Sequence, residues 1–492
     1  MSESNVFTVI RSFSDEETWL FRKFLKSPYF LKSNKLLILF NMISRTTSKE
    51  FTQEFKEEIY LKLNPGKEFN DSTIRVLVSE LNRQLNEFMT FENFRNSGLD
   101  KQRYLNVERL KKNLPAFNIN EGSYPTIDTG TDYKYFLNKH FLESYNFNFS
   151  ISGRKVTKFK NIETELLYLG DSLKFLHLFY VSQISQFYTT VRILQNTYDI
   201  QKIPDIILKM FKVLDPGSIK QVLADDDEYY FVVELYESMV NMYRNMDDTK
   251  YFYDYKECFY KYAFRVSGDE CSMHIVNLIS YSTGKVSSGI EEFNNELFEL
   301  IELTVKNKYY QNSNTEHLPH EFFRNFLLHG VRLRKFDWVN DFIHENYMKV
   351  HPADRENMKQ LGFAYLNFNT AKYDEALKNI NRITPDFFAF KLDIKNLTVQ
   401  IFYELGYYEE ALTQIKSYKE YLRKDKLLNM EKRKRYFSFL KFTENLVLHR
   451  AGTKNIDIGY LKYRILAHKA TAFKPWLIEK VMLLDTKARR SA

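Results

Sequence analysis

Tyr373-Asp374-Glu375-Ala376-Leu377 and Tyr408-Glu409-Glu410-Ala411-Leu412 are one helical phrase written twice, 35 residues apart. A further step of 35 toward the N-terminus lands on Trp338 and Phe342 of Phe336-Asp337-Trp338-Val339-Asn340-Asp341-Phe342. That predicts a third copy, degenerate because Asp341 stands where the others carry alanine. A period of this size marks stacked helix pairs, since one pair alone cannot bury its apolar face.

The pattern resembles the tetratricopeptide repeat. In the copy beginning at Leu361 the match comprises Leu361, Gly362, Tyr365, Ala371, Tyr373, Ala376, Ile380 and Pro385, with two extra residues in the first helix. The next copy matches at Phe402, Gly406, Tyr408, Ala411 and Ile415, and has Thr398-Val399 in place of Leu-Gly. The resemblance covers about a fifth of the chain. It implies a right-handed α-solenoid whose concave groove takes a peptide or a partner helix, with contacts near Tyr365, Tyr373, Phe402 and Tyr408. It implies no chemistry, and helix pairs that only stack into a core account for the same residues.

The composition agrees with an all-α protein. Among 492 residues, 44% are hydrophobic and 16% aromatic, enough for extensive burial, and only 10 prolines and 15 glycines interrupt the chain. The N-terminal residues lack the basic and apolar run of a secretory signal, and no stretch approaches the length of a membrane-spanning helix. Cys258 and Cys271 are the only cysteines and form no Cys-x-x-Cys pattern, so free thiols in a reducing cytoplasm are expected. Net charge is +8, but from Thr413 to Ala492 there are 20 Lys and Arg against 7 Asp and Glu. That end therefore carries +13 and the rest −5, which suits an acidic or polyanionic partner.

The N-terminal 114 residues read as a helical domain. Ser14-Asp15-Glu16-Glu17 is a capping box ahead of a helix ending near Lys26, and Asn34 is expected to cap a second helix. A third, Gln53 to Leu63, is closed by Asn64-Pro65-Gly66. From Ser72 to Phe94 the apolar positions Ile74, Leu77, Val78, Leu81, Leu85, Phe88 and Met89 keep helical spacing, with Arg75, Ser79, Asn82 and Arg83 on the other face. With the helix and turn before it, this segment resembles the helix-turn-helix core of winged-helix regulators of the response-regulator type. The resemblance implies DNA contact through Arg75, Ser79, Asn82 and Arg83. A solvated polar face on an amphipathic helix is the plainer account of them.

Residues 115–131 read as a linker, 132–312 as degenerate helical repeats, 313–424 as the tetratricopeptide-like repeats, and 425–492 as a basic helical cap. Between Ile162 and Lys212 the stripe Leu166, Leu169, Leu173, Leu176, Phe179, Ile184, Phe187 and Ile193 predicts long buried helices. Pro204 can open another. Asp225-Asp226-Asp227-Glu228 is dense enough in carboxylates for a hard cation, but its place before a helix suits capping. In the cap, Lys432-Arg433-Lys434-Arg435 alternates with aromatics and is the candidate polyanion contact; a solvated capping face is the plainer account.

No catalytic motif emerges. Ser282-Thr283-Gly284-Lys285 is not a phosphate-binding loop, because Ile279 replaces its first glycine and Val286 its magnesium-holding hydroxyl. His317 and His320 flank a proline and make an unsuitable metal pair, and no cofactor motif is present. The expectation is a non-enzymatic cytoplasmic scaffold for a protein or peptide partner, with no cofactor and no membrane anchor. The alternative is a nucleic-acid-binding regulator whose repeats sense a signal. A catalytic site assembled from distant residues would leave no local pattern.

Overall fold

The computed structural model describes residues 2–29, 34–46, 51–114, 130–153, 162–197, 200, 202–213, 215–220, 223, 227–311, 316–384, 390–425, 428, 430–468 and 470–491. Residues 115–129 of the linker expected at 115–131, together with Asp225, Asp226, Pro385 and residues 312–315, lie outside them. All elements are helical, and no strand occurs among the described residues, so the chain is all-α. Two compact units emerge, one drawn from 1–129 and 138–174, the other from 130–137 and 175–492.

The first unit begins with α1 (Ser2–Ser12), α2 (Asp15–Lys26), α3 (Lys35–Arg45), α4 (Gln53–Leu63), α5 (Asp71–Asn96) and α6 (Gly98–Lys111). The capping box forms as expected: the Ser14 hydroxyl accepts from the Glu17 amide at 3.1 Å, and the Glu17 carboxylate accepts from the Ser14 amide at 2.7 Å. Asn34 does not cap α3, because its backbone is already helical (φ −77°, ψ −3°) and no side-chain bond reaches the free donors. On α5, Ile74, Val78, Leu81, Leu85 and Phe88 point into the core. There Phe21 packs edge-on to Phe40 at 4.9 Å and lies 5.1 Å from Phe88. Met89, one residue beyond Phe88, is rotated off that stripe and exposed.

Both α7 (Tyr133–Gly153) and α8 (Ile162–Thr197) contribute to each unit. The expected burial of Leu166, Leu169, Leu173, Leu176 and Phe187 is not found; these are exposed. Instead α8 turns inward the face that carries Phe175, Leu178, Ser182, Ser185 and Tyr188. Pro204 stands at the N-cap of α9 (Asp205–Lys212), which is followed by α10 (Gly217–Lys220).

From α11 onward the second unit is a succession of hairpins. These are α11 (Tyr230–Arg244) with α12 (Lys250–Tyr262), α13 (Gly268–Ser287) with α14 (Phe293–Lys306), and α15 (His320–Arg332) with α16 (Phe336–Asn346). Then come α17 (Arg355–Asn369) with α18 (Tyr373–Asn381), and α19 (Lys391–Leu405) with α20 (Tyr408–Lys424). The chain ends in α21 (Met430–Arg450), α22 (Ile458–Ala467) and α23 (Lys474–Ser491). Each hairpin packs on the next in chain order, α12 on α13, α14 on α15, α16 on α17, α18 on α19 and α20 on α21. The boundaries expected at 312/313 and 424/425 do not separate cores. One apolar cluster runs from Leu297 through Leu318 to Ile401, and the next from Val399 through Leu422 to Val481. They meet at α19, which gives Leu397 and Ile401 to the first and Val399 and Tyr403 to the second.

Three of the hairpin turns are superimposable in their bonding. Arg334, Ala371 and Gly406 hold left-handed backbone, with φ of 57°, 59° and 78°. The next amide in each turn donates five residues back: Lys335 to the Gly330 carbonyl at 3.0 Å, Lys372 to Asn367 at 2.8 Å, and Tyr407 to Phe402 at 2.9 Å. This is the Schellman closure of a helix end. It puts Phe336, Tyr373 and Tyr408 in equivalent positions, so the copies are 37 and then 35 residues apart. The small-residue position of the first copy is therefore Val339, not Asp341. Gly330 makes room for it: a methyl group there would stand 2.7 Å from Val339 Cγ2 and 3.0 Å from the Trp338 ring.

Because Ala371 is exposed and left-handed, Ala371→Gly removes backbone strain without touching a neighbour, and should stabilise by about 0.5 to 1 kcal/mol. Gly406→Ala should destabilise by a similar amount, since the new methyl meets only ordinary contacts at Tyr408. Urea midpoints that move in opposite directions at constant slope are the expected result.

Candidate functional site

Within the second unit, α13, α14 and α15 face α21 and the turn before α23 across a cavity of about 670 Å³. Such a volume suits a ligand or a group of peptide side chains. On α15, Arg324, Leu328 and Arg332 recur every fourth residue and so share one face. Opposite them α21 supplies Lys432, Arg435 and Tyr436, the turn supplies Phe473, and α23 opens with Lys474, whose ammonium donates to the Leu466 and His468 carbonyls at 2.9 and 3.0 Å. Ile279, Val286, Leu297 and Ile301 form an apolar wall. Among the described residues of the lining, five side chains are cationic and none is a carboxylate.

Arg324 is anchored behind the wall. Its guanidinium donates to both Asp393 oxygens, at 2.5 and 2.7 Å, in the forked geometry that makes such pairs strong. Tyr365 is buried beside that pair; burial, reinforced by the Asp393 charge, raises its phenol well above the ordinary value. Further along, the Tyr418 hydroxyl donates to Asn396 Oδ1 at 3.0 Å. Arg332 and Arg435 are exposed toward the cavity, and no ion pair involves either among the described residues. His329 donates its Nε2 hydrogen to the Asn294 carbonyl, 2.8 Å away. Burial, and secondarily the charges of Arg332 and Lys335, lower its pKa.

The expected groove aromatics do not line this cavity. Tyr365 is turned into the core, because it belongs to the Arg324–Asp393 network. Tyr373, Phe402 and Tyr408 are half-buried near the hairpin turns, where Tyr373 packs on Phe368 at 5.6 Å and the Arg450 guanidinium lies 5.5 Å from the Tyr408 ring. The basic run divides by helix face. Lys432 and Arg435 reach the cavity, Lys434 is exposed outside it, and Arg433 is turned inward to donate to the Asp425 and Leu428 carbonyls. Sequence reasoning missed Arg324, Arg332 and Lys474. The one signal available for the first two was their spacing of eight, two helical turns apart, with Leu328 between them.

On α5, Arg75, Ser79 and Arg83 are exposed and Asn82 is half-buried. Arg75 pairs with Asp71 at 2.6 Å, and Arg83 grips Glu80 through two nitrogens, at 2.5 and 3.1 Å. That face therefore carries carboxylates beside its arginines, and no two-stranded wing occurs among the described residues.

Other polar clusters are closed. Ser282 to Lys285 lies within α13, its amides committed to the helix. His320 sits between Glu321 and Asp354, at 2.9 and 3.2 Å. Among the described residues no group of three or more His, Cys, Asp or Glu is placed to hold a metal ion, and no helix is long and apolar enough to cross a membrane. Burial pushes the thiols of Cys258 and Cys271 up to about 11, which disfavours nucleophilic thiolate. Asp227 Oδ1 accepts from the Tyr229 amide at 2.9 Å ahead of α11, a use of the acidic run that needs no cation. Comparison with models of protein families, with curated proteins and with solved structures finds no match to this chain.

A buried cluster on α13 has a consequence for pH. Glu270 accepts from the Thr131 hydroxyl and, at 3.3 Å, from the Tyr236 hydroxyl. Its carboxyl is pushed up to about 7, chiefly by burial, with the Thr131 bond opposing and Asp132 adding to the rise. The folded state thus binds a proton that the unfolded chain releases from about pH 4.5 upward, so this contribution is full below that pH and is lost as pH rises through 7. His274, held neutral by burial with its pKa lowered to about 3, acts with the opposite sign. Comparing Glu270→Gln with wild type isolates the carboxyl. The variant should lose relative stability below pH 5 and gain it above pH 8, a swing of about 3 kcal/mol at most, read from urea midpoints across that range.

Proposed function

We propose that the chain is a non-enzymatic interaction scaffold, a solenoid of helix pairs whose inner surface receives a peptide segment or helix of a partner protein. The observation that carries this reading is the cavity between α13, α15 and α21, enclosed by helices far apart in sequence and walled by apolar residues beside polar ones. Helix hairpins packed in chain order supply the rigid support that such a site needs. Among the described residues its lining has no carboxylate or cysteine to act as base or nucleophile, and His329 is engaged by a backbone carbonyl. We place the protein in the cytoplasm, where Cys258 and Cys271 remain thiols.

The regulator reading keeps one observation in its favour, the exposure of Arg75, Ser79 and Arg83 along α5. Asp71 and Glu80 answer those arginines, so the scaffold stands first.

Selection of displayed random dodecapeptides against the whole protein tests the scaffold reading. Enriched peptides should compete with one another and should lose binding to Thr283→Trp, whose indole would fill the cavity from its exposed position on α13. A selection that enriches nothing, or peptides indifferent to Thr283→Trp, would sink it.

A further inference from the structure

We infer that the cavity is specific for an acidic, partly apolar segment of the partner, whose carboxylates are met by Arg332 and Arg435 and whose apolar side chains rest against Leu328 and Phe473. This inference rests on the scaffold reading above and adds the chemistry of the occupant. Three observations on the same surface lead to it.

The first is charge. Arg332 of α15 and Arg435 of α21 are exposed toward one half-enclosed volume, with no carboxylate among the described residues of its lining. Like charges facing one hollow repel one another, and an anionic occupant turns that repulsion into attraction. Arg324 marks the contrast: where the fold needs an arginine in this wall for its own architecture, it supplies Asp393 to neutralise it.

The second is the apolar wall. A site for inorganic phosphate or for a bare polyanion has no use for the partly exposed Ile279, Val286, Leu328 and Phe473 beside its cations. A segment that alternates carboxylates with apolar side chains satisfies both surfaces at once.

The third is shape. Nucleic acid is gripped along a track of cations and stacking rings that follows the backbone for several nucleotides. Here the cations converge on a single hollow, and the cationic run Lys432–Arg435 is divided among three directions. The site is therefore suited to a short segment rather than a long strand.

The dodecapeptides enriched in the selection above, synthesised with a fluorescent label, provide the probes. Acidic residues should outnumber basic ones in them, and both high salt and the double variant Arg332→Gln/Arg435→Gln should weaken binding at least about tenfold. Both arginines are exposed, so the variant should keep the wild-type unfolding midpoint. Arg75→Gln/Arg83→Gln, on α5, should leave affinity unchanged. Peptides that are sensitive to Thr283→Trp yet neutral or basic, or indifferent to the double variant, would overturn this inference while leaving the scaffold intact. Competition by single-stranded DNA as effective as that by the peptides themselves would also overturn it, and would assign the cavity to nucleic acid. An empty selection would remove both readings together.

Discussion

In the hairpins α15–α16, α17–α18 and α19–α20 the chain reverses within a few residues, and a single left-handed residue closes the end of the first helix. At Arg334, Ala371 and Gly406 the backbone takes φ of 57° to 78°, and the next amide returns to a carbonyl five residues earlier. The turn fixes the rotation of the second helix, which decides that Val339, Ala376 and Ala411 face the first helix. Close approach at that point lets consecutive hairpins share apolar clusters without a gap, from Leu297 to Val481. The cavity depends on the same constraint, since its walls are helices held by their own turns and by their neighbours.

Charge on this molecule is organised by helix face, not by proximity in sequence. Four consecutive cations from Lys432 to Arg435 have different fates: two reach the cavity, one is exposed elsewhere, and one closes the carbonyls of the preceding segment. Arg332, in a quite different region, joins the first two. On α5 the same logic works against a basic surface, because arginines at 75 and 83 find carboxylates three or four residues away.

Much of the architecture was legible because it is written locally. The ends of α2 and α4, the capping box at Ser14 and the phrases at Tyr373 and Tyr408 depend on residues a few positions apart. The errors have physical causes. Sequence spacing treated the repeat as constant, but the first copy is 37 residues from the second, and its crossing is accommodated by Gly330 instead of an alanine. Two of the three left-handed turn residues are not glycine, so the turns themselves gave little warning. An apolar stripe on α8 suggested burial, yet the face that packs carries serines. The site was least legible of all. Its cations belong to α15, α21 and the start of α23, and no local rule brings those together.

The Arg324–Asp393 pair reaches from α15 to α19 and so passes over the whole intervening hairpin, with Tyr365 of α17 buried beside it. Trp476 and Lys480 of α23 likewise reach back to Glu404 of α19, at 2.8 and 2.7 Å. In a stack coupled only to nearest neighbours, units fray independently from the ends, and free energy adds one interface at a time. Ties that skip a unit introduce a second-neighbour coupling, so loosening any one hairpin strains the bonds of the two that flank it. The region from α15 to α23 is thereby tied beyond its nearest neighbours at two places, the Arg324–Asp393 pair and the Glu404 carboxylate.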